Sequence, residues 1–422
     1  MTGPPLTIPL MSAPGSTAPP DPASGIAFVM ELGAALHRFG TPAHRLEAAM
    51  GAVARQLDLE AHILSTPTSV MAGFGPLTSQ TNVLVRVDPG EIDLEKLTAL
   101  DRVAAAVGRG QVPVADGVAE VRAIQARRGR YPAALIVLAL GLLSASTAVF
   151  LAGGWPEIAV SGLIGLVVGL VTAAVRGSIS GSRVYSFIAA FTAAAIAHGA
   201  LAGGVPISLR ITILSGVIAL LPGYTLTVAM TEVATRNLVS GTARLTAAAV
   251  AFLELTFGIA LAEVVMTRLF GVPIGVTAAS APLPEWAELA ALAVFVPAAG
   301  IELGAHPLQF PAIAVASAAA YYSARFGSDL LTPELGAAVG GFAIAAGSNI
   351  YARLADRPAM VPLVPGLLLL VPGSMGLRSM TSMLERDVVS GIDTAFGMIL
   401  VAVSLVAGLL LANAGVPPRR DL

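Results

Sequence analysis

From Ile26 the apolar positions recur at three- and four-residue steps: Ile26, Val29, Leu32, Leu36 and Phe39 mark one face of a predicted helix that Gly40 ends. Thr41-Pro42 opens the next helix, with Thr41 as N-cap and Pro42 at the first helical position, and Leu46, Met50, Val53 and Leu57 form its buried stripe. The pattern then shortens to that of strands. Residues 59–74 and 81–88 read as strands of a hairpin or small sheet, separated by "GFGPLTSQ", and helices are predicted near 93–108 and 114–128. Together these elements make a small soluble α+β domain over residues 25–130. Residues 1–24, rich in Pro, Ser, Thr and Ala, lack the basic start and apolar centre of a signal peptide and read as a disordered tail.

The pattern changes character after Tyr131. Apolar runs near 133–152, 158–175, 184–202, 207–230, 243–268, 286–303, 310–325, 334–352, 359–379 and 392–412 follow one another, each close to the length that crosses a bilayer. Ten spans are therefore expected. The stretch "RAIQARRGRYP" sets four arginines just before the first of them, so the positive-inside tendency places the α+β domain in the cytoplasm. On that count Arg176, Arg183, Arg236, Arg244, Arg353, Arg357, Arg419 and Arg420 fall on internal segments. The external segments, "AGGWPE" and "GVPIGVTAASAPLPEWAE", are poor in cations, whereas Arg268, Arg325, Arg378 and Arg386 fall at external ends against the trend. Both termini are expected inside, in a multi-pass protein of the cell membrane.

Composition sharpens this picture in a few places. Of 422 residues, 55% are hydrophobic and 12% charged, with a mean hydropathy of +0.81, about half the charged fraction of a soluble domain. The net charge of −2 gives no reason to expect a nucleic-acid partner. There is no cysteine, which removes disulfides and thiolate chemistry. No histidine spacing matches a zinc pattern and no P-loop is present, so no metal or other cofactor and no direct ATP hydrolysis are expected. Nothing fixes the oligomeric state, and a homo-oligomer stays open.

Two of the spans are interrupted alike. "GVIALLPG" starts at Gly216 and "GLLLLVPG" at Gly366, and in each the Pro-Gly is followed sixteen residues later by Ser-Gly, at Ser240-Gly241 and Ser390-Gly391. The shared pattern is G-x5-P-G-x16-S-G at a constant offset of 150 residues. Pro222 then lies in the fourth span and Pro372 in the ninth, so each unit holds five crossings. An odd number forces opposite orientations, which is an inverted repeat. The expected fold is a polytopic α-helical membrane protein: ten transmembrane helices as two inverted five-helix repeats, preceded by a small soluble α+β domain. The repeats span 131–270 and 286–415, joined by an external loop over 271–285 and followed by a cytoplasmic tail over 416–422.

The chain resembles the threonine/serine exporter family over about residues 26–412. The likeness rests on "ELGAALHRFGTPAHRLEAAM" with "HILSTPTSVMAGF", on "LLPGYTLTVAMTEVATRNLVSG" and on "LVPGLLLLVPGSMGLRSM", the Pro-Gly segments being the most specific. The resemblance implies export of small amino acids such as threonine and serine, driven by the proton motive force, by a transporter and not an enzyme.

Proline in mid-span removes a backbone donor and frees carbonyls that lipid cannot satisfy. Pro222, Gly223, Thr225, Thr227, Pro372, Gly373 and Ser374 are therefore candidates for the substrate site, competing with a plain packing kink. Glu254, near the middle of the fifth span, is the candidate proton carrier, since an intramembrane carboxylate is costly unless it works; the competing reading is a neutral, hydrogen-bonded Glu. Glu263, Glu302, His198 and Arg210 lie nearer span ends, where snorkelling accounts for them. Asn349 reads equally as packing glue or ligand, and Gly165 with Gly169 and Gly336 with Gly340 read as packing seams. Two further functions compete with export. One is a membrane-embedded hydrolase whose N-terminal domain carries the activity, although no nucleophile–base pair is visible. The other is a passive small-solute channel, which leaves Glu254 without a purpose.

Overall fold

The computed structural model describes residues 22–175, 179–271, 283–384 and 386–418. The expected tail as far as residue 21, the loop over 272–282, and Arg176, Arg419 and Arg420 lie outside them. Helices α1 (Pro22–Arg38) and α2 (Ala43–Gln56) lead into strands β1 (Ala61–Thr66), β2 (Ser69–Phe74) and β3 (Thr81–Arg86), then α3 (Leu94–Gly108) and α4 (Val114–Ala126). The strands form one antiparallel sheet in the order β1-β2-β3, with Ser65 opposite Val70 and Met71 opposite Leu84. The run 59–74 is thus itself a hairpin, turned by the Pro67 that cannot donate to a ladder. Gly40 ends α1 with φ of +90°, a conformation that glycine adopts at no steric cost.

The start of α2 departs from expectation. The N-cap is Pro42, and its neighbour Thr41 is buried with its hydroxyl unpartnered, so Thr41 does not cap the helix. The first free N–H, that of Ala43, donates instead to Oε1 of Glu232 at 2.9 Å. A carboxylate there answers both an unsatisfied donor and the positive end of the helix dipole, which a threonine hydroxyl does less strongly.

The remaining helices are α5 (Ala133–Phe150), α6 (Trp155–Val175), α7 (Ile179–Ala202), α8 (Leu209–Gly216), α9 (Gly223–Ala234), α10 (Leu238–Phe270), α11 (Trp286–Glu302), α12 (Phe310–Leu330), α13 (Pro333–Ala355), α14 (Met360–Leu370), α15 (Gly373–Leu384) and α16 (Val388–Gly415). Among the described residues, seven helical stretches are long and apolar enough to cross a membrane, or eight with the bent pair α8–α9 counted as one. The protein is a polytopic helical membrane protein.

Several local geometries recur at the spacing seen in the sequence. Helices α9 and α15 both begin at the glycine of Pro-Gly and both end before a left-handed arginine, Arg236 and Arg386, each at φ of +67°. Asn237 and Asp387 then hold the N-cap positions of the following helices, and the Asp387 side chain accepts from Ser390 N–H. At Gly241 an added Cβ would lie 2.9 Å from the Ala229 carbonyl oxygen; at Gly391 it would lie 3.1 Å from that of Ser379. Glycine at each lets consecutive helices close into a tight hairpin. Another pair of helix starts is alike but lies 152 residues apart, off that spacing: Gly154 N–H donates to Glu157 at 2.9 Å, and His306 N–H donates to Gln309 at 2.8 Å.

Glycines also seat the helix pairs. An added Cβ would meet the Leu140 carbonyl at Gly165 and the Ala320 carbonyl at Gly340, as expected of packing seams. Asn349 is a fastener: its Nδ2 donates to Asn413 at 2.9 Å and to the Val416 carbonyl at 2.7 Å, tying α13 to the end of α16.

The α/β unit is not separated from the spans by a polar layer. Phe28, Leu32, Leu46 and Leu94 belong to one buried cluster with Val296 of α11, Ile313 of α12 and Val361 and Val364 of α14. Hydrogen bonds stitch the same junction. Ser240 Oγ donates to the Ser65 carbonyl at 2.8 Å, Leu94 N–H to the Leu303 carbonyl at 2.9 Å, and Tyr131 OH to the Ala305 carbonyl at 2.7 Å. The unit therefore sits against the start of α10, the end of α11 and the start of α14. At the opposite end the Trp155 and Trp286 rings lie 6.2 Å apart.

Candidate functional site

A residue before proline is pushed out of the helical region, and both interrupted spans obey this. Leu221 (φ −67°, ψ 128°) and Val371 (φ −69°, ψ 138°) are extended, and α9 and α15 restart immediately after Pro222 and Pro372. The chain bends by 54° ahead of the first break, at Val217 between α8 and the segment Ile218–Ala234 that contains Pro222, whereas the second break lies within one nearly continuous span over Met360–Leu384.

The two breaks touch. A Cβ added to Gly223 would lie 3.0 Å from the Gly373 nitrogen and 3.1 Å from its Cα, and one added to Gly373 would lie 3.2 Å from the Gly223 Cα. Backbone meets backbone, and any side chain at either position would force the two helices apart. The starts of α9 and α15 are thereby brought side by side, each with N–H groups that no preceding turn can satisfy.

A cavity of about 390 Å³ opens beside this contact. Its walls carry Gly223, Tyr224 and Thr225 from α9, Gly373 and Val371 from the second break, Leu140 and Leu143 from α5, and Phe295 from α11. Polar groups enter from Thr172, Tyr185 and Glu302, and the cavity ends beneath Gly90, Glu91 and Ile92 of the β3–α3 loop. Thr172 donates to the Val168 carbonyl at 2.9 Å, which leaves Tyr185 as the donor in the hydroxyl pair that they form. The cavity thus runs from the breaks to the end on which the α/β unit sits; neither Trp155 nor Trp286 lines it.

Of the residues expected to form a site, Gly223, Thr225 and Gly373 line the cavity. Pro222 and Pro372 shape it from behind. Thr227 is buried, donates to the Gly223 carbonyl at 3.1 Å and faces a second, smaller cavity, while Ser374 is half-buried and lines neither. Glu254 is half-buried in the middle of α10 and does not line the cavity; its neighbour Phe252 is buried in one cluster with Leu377 of α15. Glu302, read from the sequence as a snorkelling side chain at a span end, lines the cavity wall instead, and Thr172 and Tyr185 were passed over because polar side chains towards helix ends are ordinary. Only tertiary packing brings those ends to one wall.

Glu232 is a second omission. It is fully buried, accepts from Ala43 and pairs with Arg244, whose Nε lies 3.1 Å from Oε2. Its sequence signal was present in "MTEVATRN", a lone acid one turn from the end of a span. Beside it at the start of α2, burial and the neighbouring Arg45 guanidinium press the His44 pKa down to about 4. His37, whose Nε2 lies 2.7 Å from the Thr66 carbonyl oxygen, is also lowered, chiefly by burial. Among the described residues no group of three or more His, Asp or Glu side chains could hold a metal ion.

Comparison with known proteins gives the chain a family. The family model for a threonine/serine exporter matches residues 27–266, more than half of the chain, and a second threonine/serine exporter model matches residues 288–414. The chain belongs to the threonine/serine exporter family. Curated relatives include the pheromone-regulated membrane protein 10 of Kluyveromyces lactis, 27% identical over 93% of this chain and 43% of that protein. Its namesake in Eremothecium gossypii is 27% identical over 83% and 48%, and that of Candida albicans 29% identical over 87% and 34%. This exporter-family chain therefore spans under half the length of those relatives. No solved structure matches it.

Proposed function

We propose that the protein is a secondary active exporter of small amino acids, threonine and serine foremost, driven by the proton motive force, with its substrate held where the two Pro-Gly breaks meet. The observation that carries this reading is the backbone contact between Gly223 and Gly373 at the head of the 390 Å³ cavity. A zwitterion suits that place. Its carboxylate can accept from N–H groups at the starts of α9 and α15, where the helix dipoles are positive. Its ammonium group can donate to carbonyls that the breaks release and to Glu302 on the wall, and a side-chain hydroxyl can reach Thr225. Thr227 and Ser374 fall outside this arrangement; Pro222 and Pro372 act by making the breaks.

The same reading arranges the chain as ten spans in two inverted five-helix repeats. Helices α11 and α12 take the places that length and apolarity alone leave open, and the matched turns at Arg236 and Arg386 support the repeat. The α/β unit over 25–130 is the cytoplasmic domain of a cell-membrane protein, so the cavity is open to the cytoplasm. Glu254 carries the coupled proton on α10, which packs on α15 through Phe252 and so can bias the second break. Carriers of this class commonly alternate access by rocking one repeat against the other around a central site.

Efflux from cells loaded with a threonine-containing dipeptide tests the reading. Cells with the protein should release threonine faster than cells without it, and an uncoupler should abolish the difference. Release that ignores the uncoupler would favour a channel; dipeptide cleavage by the purified protein would favour an enzyme.

A further inference from the structure

We propose that Tyr224 is the side-chain size filter of the transport site, a wall between the main cavity and a second, apolar chamber; this rests on the export reading. Among the described residues Tyr224 alone lines both spaces. It follows Gly223 directly, so its ring stands beside the contact between the two breaks, where the polar head of a bound amino acid is held. On one side the ring packs against the cluster shared by the α/β unit, α11 and α14; on the other it packs against the cluster of α13, α14 and α16.

The chamber behind the ring measures about 50 Å³. At 10–15 Å³ for each water-sized occupant, it has room for about four such groups, comparable with the branched end of a leucine side chain. Its walls are mostly apolar, Val228, Leu363, Val364, Leu367 and Leu409 among them, and the polar lining comes from Thr227, Thr231, Asn413, His44 and Arg45. Both hydroxyls are committed to their own helix, Thr227 to the Gly223 carbonyl at 3.1 Å and Thr231 to the Thr227 carbonyl at 2.8 Å. An entering group therefore meets hydrocarbon over most of the wall, His44, Arg45 and Asn413 being the remaining polar lining. With the ring in place a threonine or serine side chain fits in front of it, and a longer, branched apolar side chain runs into it. Without the ring the two spaces join, and the side chain of leucine or isoleucine gains an apolar pocket of its own.

Cells loaded with threonyl-leucine supply both amino acids from one internal source, so the ratio of leucine to threonine released above protein-free cells reads the filter. Tyr224→Phe keeps the ring and should leave that ratio at the wild-type value. Tyr224→Ala should raise it about tenfold or more, the range over which pocket fit of one or two methylene groups discriminates. An unchanged ratio in Tyr224→Ala, or a raised one in Tyr224→Phe, overturns the proposal. A measurement that leaves the ring intact guards against a variant that does not fold. The chain has no cysteine, so Thr225→Cys and Val228→Cys can be compared directly. A soluble maleimide should modify the cysteine at 225, in front of the ring, at least tenfold faster than the one at 228 behind it; equal rates overturn the partition. A wild-type trace indistinguishable from protein-free cells would sink the export reading itself, and the labelling comparison would still decide whether Tyr224 divides the two spaces.

Discussion

Glu232 ties three parts of the chain together: it lies on α9, caps α2 through Ala43 and pairs with Arg244 of α10. Removing one partner of a buried pair leaves the other uncompensated, so Glu232→Ala should destabilise the protein by about 3 kcal/mol. Thermal unfolding in detergent should show a clear drop in Tm, whereas Arg122→Ala, which breaks an exposed pair with Glu31, should cost less than about 1 kcal/mol. His44 makes a pH prediction of definite sign. Its folded pKa, near 4, lies below the ordinary 6.5, so the unfolded chain binds its proton first. Stability from this group is complete above pH 6.5, falls as pH drops towards 4 and falls no further below that. His44→Gln should flatten the decline of Tm between pH 7 and 5, and an identical decline would contradict the assignment. At this scale the sequence misleads where a distant residue intervenes. Thr41-Pro42 has every local mark of a helix cap, yet the cap arrives from Glu232, and no local pattern contains that information.

The helix breaks were legible because their cause is local: proline acts on the residue before it and on the turn behind it, wherever the span lies in the fold. The hairpins after them were marked by Ser-Gly, and their glycines divide into those with neighbours and those without. Gly391 approaches the Ser379 carbonyl so closely that an added Cβ would lie 3.1 Å away, while around Gly347, in α13, nothing lies within 4 Å. Gly391→Ala should therefore lower Tm as α15 and α16 part, and Gly347→Ala should raise stability by up to about 1 kcal/mol through helix propensity alone. The opposite order of the two melting temperatures would contradict the packing described. The strands were legible in kind, and the turn between β1 and β2 falls on the Ser-Thr-Pro-Thr-Ser stretch over 65–69, whose residues carry turn chemistry within the run 59–74.

For the molecule as a whole, the ends of the spans follow from contacts with the α/β unit. Ser240 binds the Ser65 carbonyl and so lies at the unit's end. The far end of α16 is fastened to the end of α13, which leads into α14 beside the unit. Ser390, at the start of a 28-residue helix, is thus about 40 Å away. Single cysteines at the exposed neighbours Val239 and Val389 should react with an impermeant thiol reagent from opposite sides of the membrane; modification of both from one side would contradict the inverted arrangement. The offset of 150 residues is visible along the chain, but the assembly of a wall from Thr172, Tyr185, Glu302 and the β3–α3 loop depends on how helix ends meet, which spacing along a chain does not encode. The central claim is that transport passes through the meeting point of the two breaks. It is tested most directly by threonine efflux from cells carrying Gly223→Val or Gly373→Val, each inserted in the membrane at the wild-type level. Efflux should fall at least tenfold in both, because either side chain must displace the opposite backbone. Unchanged rate and apparent affinity in both variants would show that the breaks are packing kinks and that the site lies elsewhere.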